Sequence, residues 1–410
     1  ALAPINPALR KLPATAPHAA TQEHFAGASS QNDAHICAKS VLIYVIGGWL
    51  SGHRPIVPYR RLLVATAQGP YGTCHMKASR LLPLLVLVGI SSLTLAISVG
   101  STNFNAKTIL WALSGQGSLA PDAIGQSAPL VREVILDLRL PRALNAFTTG
   151  GLLALAGVLM QVLLRNPLAD PYVLGISGGA AVAALAAMLL GLGGLFVDWA
   201  AGIGALGATL LVFALAHARG GWTPQRLLLN GVVVASGCAA IVSLMLALGD
   251  ESRLRGMLFW LMGDLSFSAF SPVALAMLLI VGFLSVAGAR SLNVLARGEV
   301  ESQSLGVALR PARMALFCAT AALTATAVTT AGGIGFIGLV TPHLVRLAAG
   351  SNHRVVVPAS VLLGGTLLSL ADTMARITAP PRQLPVGALT ALIGVPLFLI
   401  LLRRERRITF

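Results

Sequence analysis

Residues 150–190 read GGLLALAGVLMQVLLRNPLADPYVLGISGGAAVAALAAMLL. Two uncharged apolar runs flank a short polar stretch. A helix rises about 1.5 Å per residue, so roughly 20 apolar residues cross about 30 Å of hydrocarbon. The first run extends back to about residue 143 and the second runs from about 172 to 194, so both reach that length. Between them Pro167 and Pro171 lack the backbone N–H that would continue a helix. Asn166 and Asp170 offer side-chain oxygens for helix starts, and Arg165 suits an anchor at headgroup level. The stretch reads as two membrane helices joined by a well-made turn. Its glycines and alanines let helix backbones approach closely, which membrane packing requires because lipid tails give helices no hydrophobic reason to associate. These are contact faces rather than sites.

Outward from this hairpin the pattern recurs. Apolar segments lie at about 81–100, 143–164, 172–194, 196–218, 226–248, 272–289, 312–331, 333–349, 355–375 and 385–402. The chain is 56% hydrophobic and only 10% charged, whereas a soluble domain carries about a quarter charged residues. The expectation is an all-α membrane protein with ten transmembrane helices. The net charge of +15 does not point to nucleic acid, because the arginines sit between apolar runs instead of forming one basic face. They report orientation. With the N-terminus inside, the inner ends and loops hold fifteen Lys and Arg residues, among them Arg165, Arg226, Arg297, Arg346 and Arg354, against eight outside. The positive-inside rule then puts both termini in the cytoplasm. Two outer segments, 101–142 and 249–271, have room for surface helices. In the second, Leu254, Met257, Leu258 and Leu261 fall at i, i+3, i+4 and i+7, the spacing of an interfacial amphipathic helix.

Residues 1–75 differ in kind, mixing Pro, Ala, His, Gln and Ser without a sustained period, and the first methionine is Met76. They read as an upstream extension with the composition of a disordered segment, leaving 76–410 as the membrane domain. Its histidines (His18, His24, His35, His53, His75) fit no compact metal site. Cys37, Cys74, Cys238 and Cys318 form no CxxC pattern and read as packing residues, as do His217 and His343. No metal site is expected.

Gly333, Gly335 and Gly338 in GGIGFIG match the dinucleotide fingerprint in order, but membrane segments stand where the strand and helix should be. No G-x-x-x-x-G-K-[ST] occurs, so no P-loop binds ATP here. An ion-coupled secondary transporter, the alternative reading, would place carboxylates at mid-membrane. Asp372 lies inside an apolar run, near its outer end, where a structural hydrogen bond outweighs a proton relay. A passive channel or scaffold has no use for LARGEVESQSLGV (295–307), a mixed-charge knot that the orientation places in the cytoplasm.

Seven stretches together resemble the FecCD/BtuC-like permease family. They are LRLPRAL (138–144), RNPLADPYVLGISGGA (165–180), RLLLNG (226–231), LNVLARGEVESQSLG (292–306), GGIGFIGLVTPHLVRL (332–347), LADTMAR (370–376) and QLPVGALTALIGVPLF (383–398). The resemblance covers about 78–404 and implies the BtuC-like type II ABC importer permease fold. It implies a homodimer of ten-helix subunits in the bacterial inner membrane, with two ATPase subunits inside and a periplasmic substrate-binding protein outside. Cargo would be an iron–siderophore, haem or cobalamin. Such a chain is a transport subunit rather than an enzyme, and ATP and Mg belong to the partner ATPase; no cofactor is expected here. By the same resemblance Gly298, Glu299, Glu301, Ser302, Leu305 and Gly306 form the ATPase-coupling segment. Two glycines suit the ends of a short helix, and two carboxylates suit a partner's basic groups. Arg139, Arg142 and Arg376 would meet carboxylates of the binding protein, and Thr223, Pro224 and Gln225 would form the cytoplasmic gate. Ser302, Pro224 and Gln383 depart from the family pattern of Ala at the first position and Glu at the last.

Overall fold

The computed structural model describes residues 77–100, 104–114, 128–217, 223–266, 270–379 and 382–405. The expected extension 1–75 lies outside them, as do Trp222 and the last five residues. Among the described residues every regular element is helical. In order they are α1 (Ala78–Ser98), α2 (Ala106–Ser114), α3 (Ala128–Glu133), α4 (Leu140–Leu164), α5 (Ile176–Leu189), α6 (Gly194–His217), α7 (Pro224–Leu248) and α8 (Glu251–Leu261). There follow α9 (Pro272–Ala287), α10 (Ala289–Arg297), α11 (Glu299–Ser304), α12 (Leu309–Ala331), α13 (Ile337–Ala349), α14 (His353–Ile377) and α15 (Val386–Glu405). A π-helical turn, Val134–Arg139, joins α3 to α4, and a 3-10 turn, Pro171–Leu174, precedes α5.

Each of the ten apolar segments holds a helix, but their lengths differ. Six helices are long and apolar enough to cross a membrane: α1, the continuous helix 129–164, α6, α7, α12 and α14. α9 and α10, bent by 68° about Gly288, make a seventh if they are taken as one. α5, α13 and the apolar stretch Val386–Leu401 of α15 are shorter. The shortfall has a local cause. At the third segment the chain first makes the 3-10 turn, and at the eighth it passes through Gly332 (φ 69°) and Phe336 (φ 70°) before α13 begins. Irregular backbone within an apolar segment is tolerable only where protein satisfies it. Here the Ile334 N–H donates to the Tyr172 hydroxyl at 3.2 Å, so the two breaks complete each other.

α4 is the centre of the bundle. Its apolar run is almost wholly buried among α9, α12, α13 and α14. Small residues make this possible: a Cβ on Gly157 would stand 1.8 Å from the Gly338 carbonyl oxygen of α13. α5 and α6 meet in the same way, through Gly179 and Gly204. α7 is the opposite case, with nearly all of its apolar surface uncovered, including Leu229 and Val233. The outer helix expected in 249–271 is α8, in which Met257 is buried and Leu254 and Leu261 are half-buried.

Candidate coupling segment and outer arginine cluster

The knot at 295–307 folds as two short helices. Gly298, at φ 142°, turns the chain between α10 and α11 in a conformation that L side chains rarely adopt. Gly306, at φ 77°, closes the other end, where its N–H and that of Val307 bond back to Gln303 and Ser302 carbonyls at 3.0 and 2.9 Å. Ser302 is fully buried, and its hydroxyl donates to the carbonyls of Gly298 and Val294, tying α11 to α10. An alanine here would lose the Val294 bond. Serine at this position is thus satisfied.

Glu299 and Glu301, a matched pair by sequence, separate in space. Glu299 pairs with Arg165 at 3.1 Å and with Arg313, so it joins the turn after α4, the short helix α11 and the start of α12. Glu301 is exposed, and on the same short helix and its end Val300 and Leu305 are 83% and 62% exposed. An acidic and apolar surface standing clear of the bundle is what a protein partner would grip. Val300, Arg165 and Arg313 were not legible as participants. Arg313 and Glu299 lie in different helices, and no periodicity links them. Because Glu299 is still partly exposed, its two pairs are worth about 1 kcal/mol together. Glu299→Gln should therefore raise amide hydrogen exchange in 299–306 about fivefold, with little change in the melting temperature of the whole chain. Exchange that stays at the wild-type rate would remove the pinning role.

The adjoining turn follows its sequence. Arg165 caps α4 at φ 49°, the Asn166 side chain accepts the Leu168 N–H at 2.9 Å, and that of Asp170 accepts the Tyr172 N–H at 2.8 Å. Burial pushes the Asp170 carboxyl up to about 6, while the bond from Tyr172 pulls the other way. At the foot of α7, Thr223 is the N-cap, its hydroxyl accepting the Arg226 N–H at 3.4 Å, and Pro224 takes the first helical position, where its missing N–H costs nothing. Thr223 and Gln225 are exposed.

At the end of the bundle that the charge pattern assigns to the outside, Arg139, Arg142 and Arg376 do converge, but none stands free on the rim. Arg139 is buried, donates to the Ile97 and Ser98 carbonyls at 2.9 and 3.2 Å, and lies 4.4 Å over the Phe104 ring. Arg142 forks onto the buried Asp372 carboxylate, with a shortest contact of 2.8 Å, and donates to Gln383 Oε1 at 2.9 Å. Arg376 pairs with the same carboxylate at 3.3 Å and donates to the Ala96 carbonyl at 2.9 Å. Together they brace α1, α4 and α14. Meeting a partner's carboxylate from this conformation requires one of these bonds to be exchanged. Gln383 keeps a hydrogen bond to Arg142 where the family pattern has a Glu, and also accepts from Ser266 at 2.7 Å. Asp372 thus has a structural role, as its position near the end of its run suggested.

Among the described residues no group of three or more His, Cys, Asp or Glu could hold a metal. His217 lies against Phe213 at 4.4 Å and His343 edge-on to Phe398 at 6.1 Å, while Cys238 and Cys318 are free thiols.

The profile of the FecCD transport family matches residues 84–404, which take in the bundle, the coupling segment and the arginine brace. The chain belongs to the FecCD transport family. Similar curated proteins include the cobalamin import system permease BtuC of Halobacterium salinarum, 40% identical over 84% of this chain and 94% of its own length. The hemin transport system permease HmuU of Yersinia pestis is 38% identical over 80% of this chain and 98% of its own. The ABC transporter permease YvrB of Bacillus subtilis is 37% identical over 77% and 91%. Among solved structures, an inward-facing metal-chelate type ABC transporter superposes with a TM-score of 0.69 at 29% identity, covering 80% of this chain and 99% of its own. This FecCD family chain is accordingly a multi-pass membrane permease, a transport subunit rather than a catalyst.

Proposed function

We propose that this permease carries a metal chelate or corrinoid inward across the bacterial inner membrane, driven by ATP that two separate ATPase subunits hydrolyse. Two copies of the chain form the pathway, and a substrate-binding protein delivers cargo to the outer face. The observation that carries the reading is α11. It is a six-residue helix hinged on Gly298 and Gly306, pinned behind by Glu299 and presenting Glu301, Val300 and Leu305 in front. A partner that pushes α11 also pushes Arg165 and Arg313, and through them the turn after α4 and the foot of α12. ATP binding in the partner is thereby converted into helix movement, and the bundle alternates between outward- and inward-open states. The uncovered apolar face of α7 is the surface we assign to the second copy and the pathway, with Thr223, Pro224 and Gln225 as its inner gate. On the outer rim, Arg142 and Arg376 exchange Asp372 for carboxylates of the binding protein when it docks. Hemin and cobalamin, named for two of the relatives, set the size class of the cargo.

The test is uptake into vesicles holding the chain with its ATPase and binding protein. Reversing both charges, Glu299→Arg with Glu301→Arg, should lower ATP-driven uptake at least tenfold while leaving binding-protein affinity unchanged. Normal uptake by that variant would remove the coupling role. Uptake driven by a proton gradient without ATP would remove the whole reading.

A further inference from the structure

A cavity of about 590 Å³ opens at the same end of the bundle, between the C-terminus of α4, α10 and the junction of α13 with α14. Arg165, Arg297 and Arg346 line it, with Asn293, Asn352 and His353, and no Asp or Glu does. Arg165 has Glu299 as a partner outside the lining, and Arg346 donates only to the neutral Gln161 Oε1. Arg297 is exposed, so the cavity has an unneutralised cation at its mouth.

His353 supplies an independent observation. It is 2% exposed, and Asn293 Oδ1 accepts its backbone N–H at 2.9 Å and lies 2.7 Å from its Nδ1. An amide oxygen only accepts, so the Nδ1 carries the hydrogen. The orientation of Asn293 is consistent, because its Nδ2 donates to Asn352 Oδ1 at 3.2 Å. The Nε2 is therefore a bare lone pair in the neutral ring, buried and without a hydrogen-bond partner. A buried polar atom left unpaired is unfavourable, and most such atoms find a partner in protein, water or ligand. Guanidiniums on several sides and an imidazole nitrogen that can accept a hydrogen bond make one ligand chemistry fit.

We propose that this cavity is a phosphate site, in which Arg165, Arg297, Arg346 and the His353 Nε2 hold a phosphate oxyanion beside the coupling segment. A phosphate has enough acceptor oxygens for three guanidiniums and can donate a hydrogen bond from its hydroxyl to the neutral Nε2, whereas a lone carboxylate has two oxygens and at neutral pH no hydrogen to donate. The bond from Arg165 to Glu299 connects the site to α11, so an occupied cavity stiffens the element that the partner pushes. Two sources carry this chemistry: free inorganic phosphate, and the phosphomonoester headgroup of phosphatidic acid in the adjoining leaflet, which keeps a hydroxyl near neutral pH.

The experiment uses the full chain in detergent, stripped of phospholipid. Inorganic phosphate should raise the melting temperature and shift the 15N resonance of the His353 Nε2, while acetate at equal ionic strength should do neither. Arg297→Gln, at an exposed residue whose loss leaves packing intact, should weaken phosphate binding about tenfold, the worth of one charge-assisted contact. Native mass spectrometry of chain taken from nanodiscs containing phosphatidic acid separates the sources. Retained phosphatidic acid that free phosphate displaces identifies the lipid headgroup, and phosphate binding without lipid retention identifies the free ion. Equal effects of acetate and phosphate, an unmoved Nε2 resonance, or identical binding by wild type and Arg297→Gln would each overturn the proposal.

Discussion

Gly157→Val is expected to prevent accumulation of a folded permease in the membrane, and Gly157→Ala to lower its melting temperature by about 10 °C or more. A Cβ at 157 would stand 1.8 Å from the Gly338 carbonyl oxygen and 2.6 Å from its carbonyl carbon. Ordinary carbon–oxygen contact is well above 3 Å, and the obstacle is backbone, so no rotamer change relieves the clash. α4 and α13 would have to part by more than 1 Å along their whole crossing. Inserting a methylene into a packed core costs about 1–3 kcal/mol when side chains can yield, and here they cannot. α4 is also the helix against which α9, α12 and α14 pack, so the displacement is not local. Size-exclusion of a fluorescent fusion measures the outcome. Gly207→Val is the control, because a Cβ there has nothing within 4 Å. Equal monodisperse yield from the two variants would show that α4 and α13 do not approach this closely.

Asp372→Ala is expected to destabilise the chain by about 3–5 kcal/mol, the usual cost of leaving buried charges without their counter-ion. The carboxylate is 1% exposed and holds two guanidiniums, each 11% exposed, so its removal leaves Arg142 and Arg376 facing each other. A fall in melting temperature of about 5–10 °C corresponds to that range. Asp372→Asn should fall between, keeping hydrogen bonds and losing the charge. Adding Arg142→Ala to Asp372→Ala should cost less than the sum of the single changes, since the orphaned guanidinium leaves with it. Melting temperatures within 2 °C of wild type, or strict additivity, would mean that water already reaches this cluster.

Much of this was legible along the chain, for definable reasons. The ten apolar segments follow from bilayer thickness, a constraint that acts on each stretch separately, and each segment contains a helix. The bounds of α11 were legible because glycine is required at Gly298 and Gly306 by backbone conformation alone. The turn at 165–171 was legible because Asn, Asp and Pro act on their own neighbours. The breaks before α5 and α13 were not, because each is stabilised by the other: Tyr172 and Ile334 are 162 residues apart.

Solvent and local chemistry act along the chain, and they specify a helical membrane protein, its segments, its turns and, through ordered motifs, its family. The folded arrangement alone sets how charge is shared. It divided the two glutamates of the knot into a pinned Glu299 and an exposed Glu301, and folded three rim arginines inward onto Asp372 and helix-end carbonyls. It also gathered Arg165, Arg297, Arg346 and His353 around one cavity. Charge pairing depends on distances of a few ångströms between residues up to 230 positions apart, and no local pattern encodes such a distance.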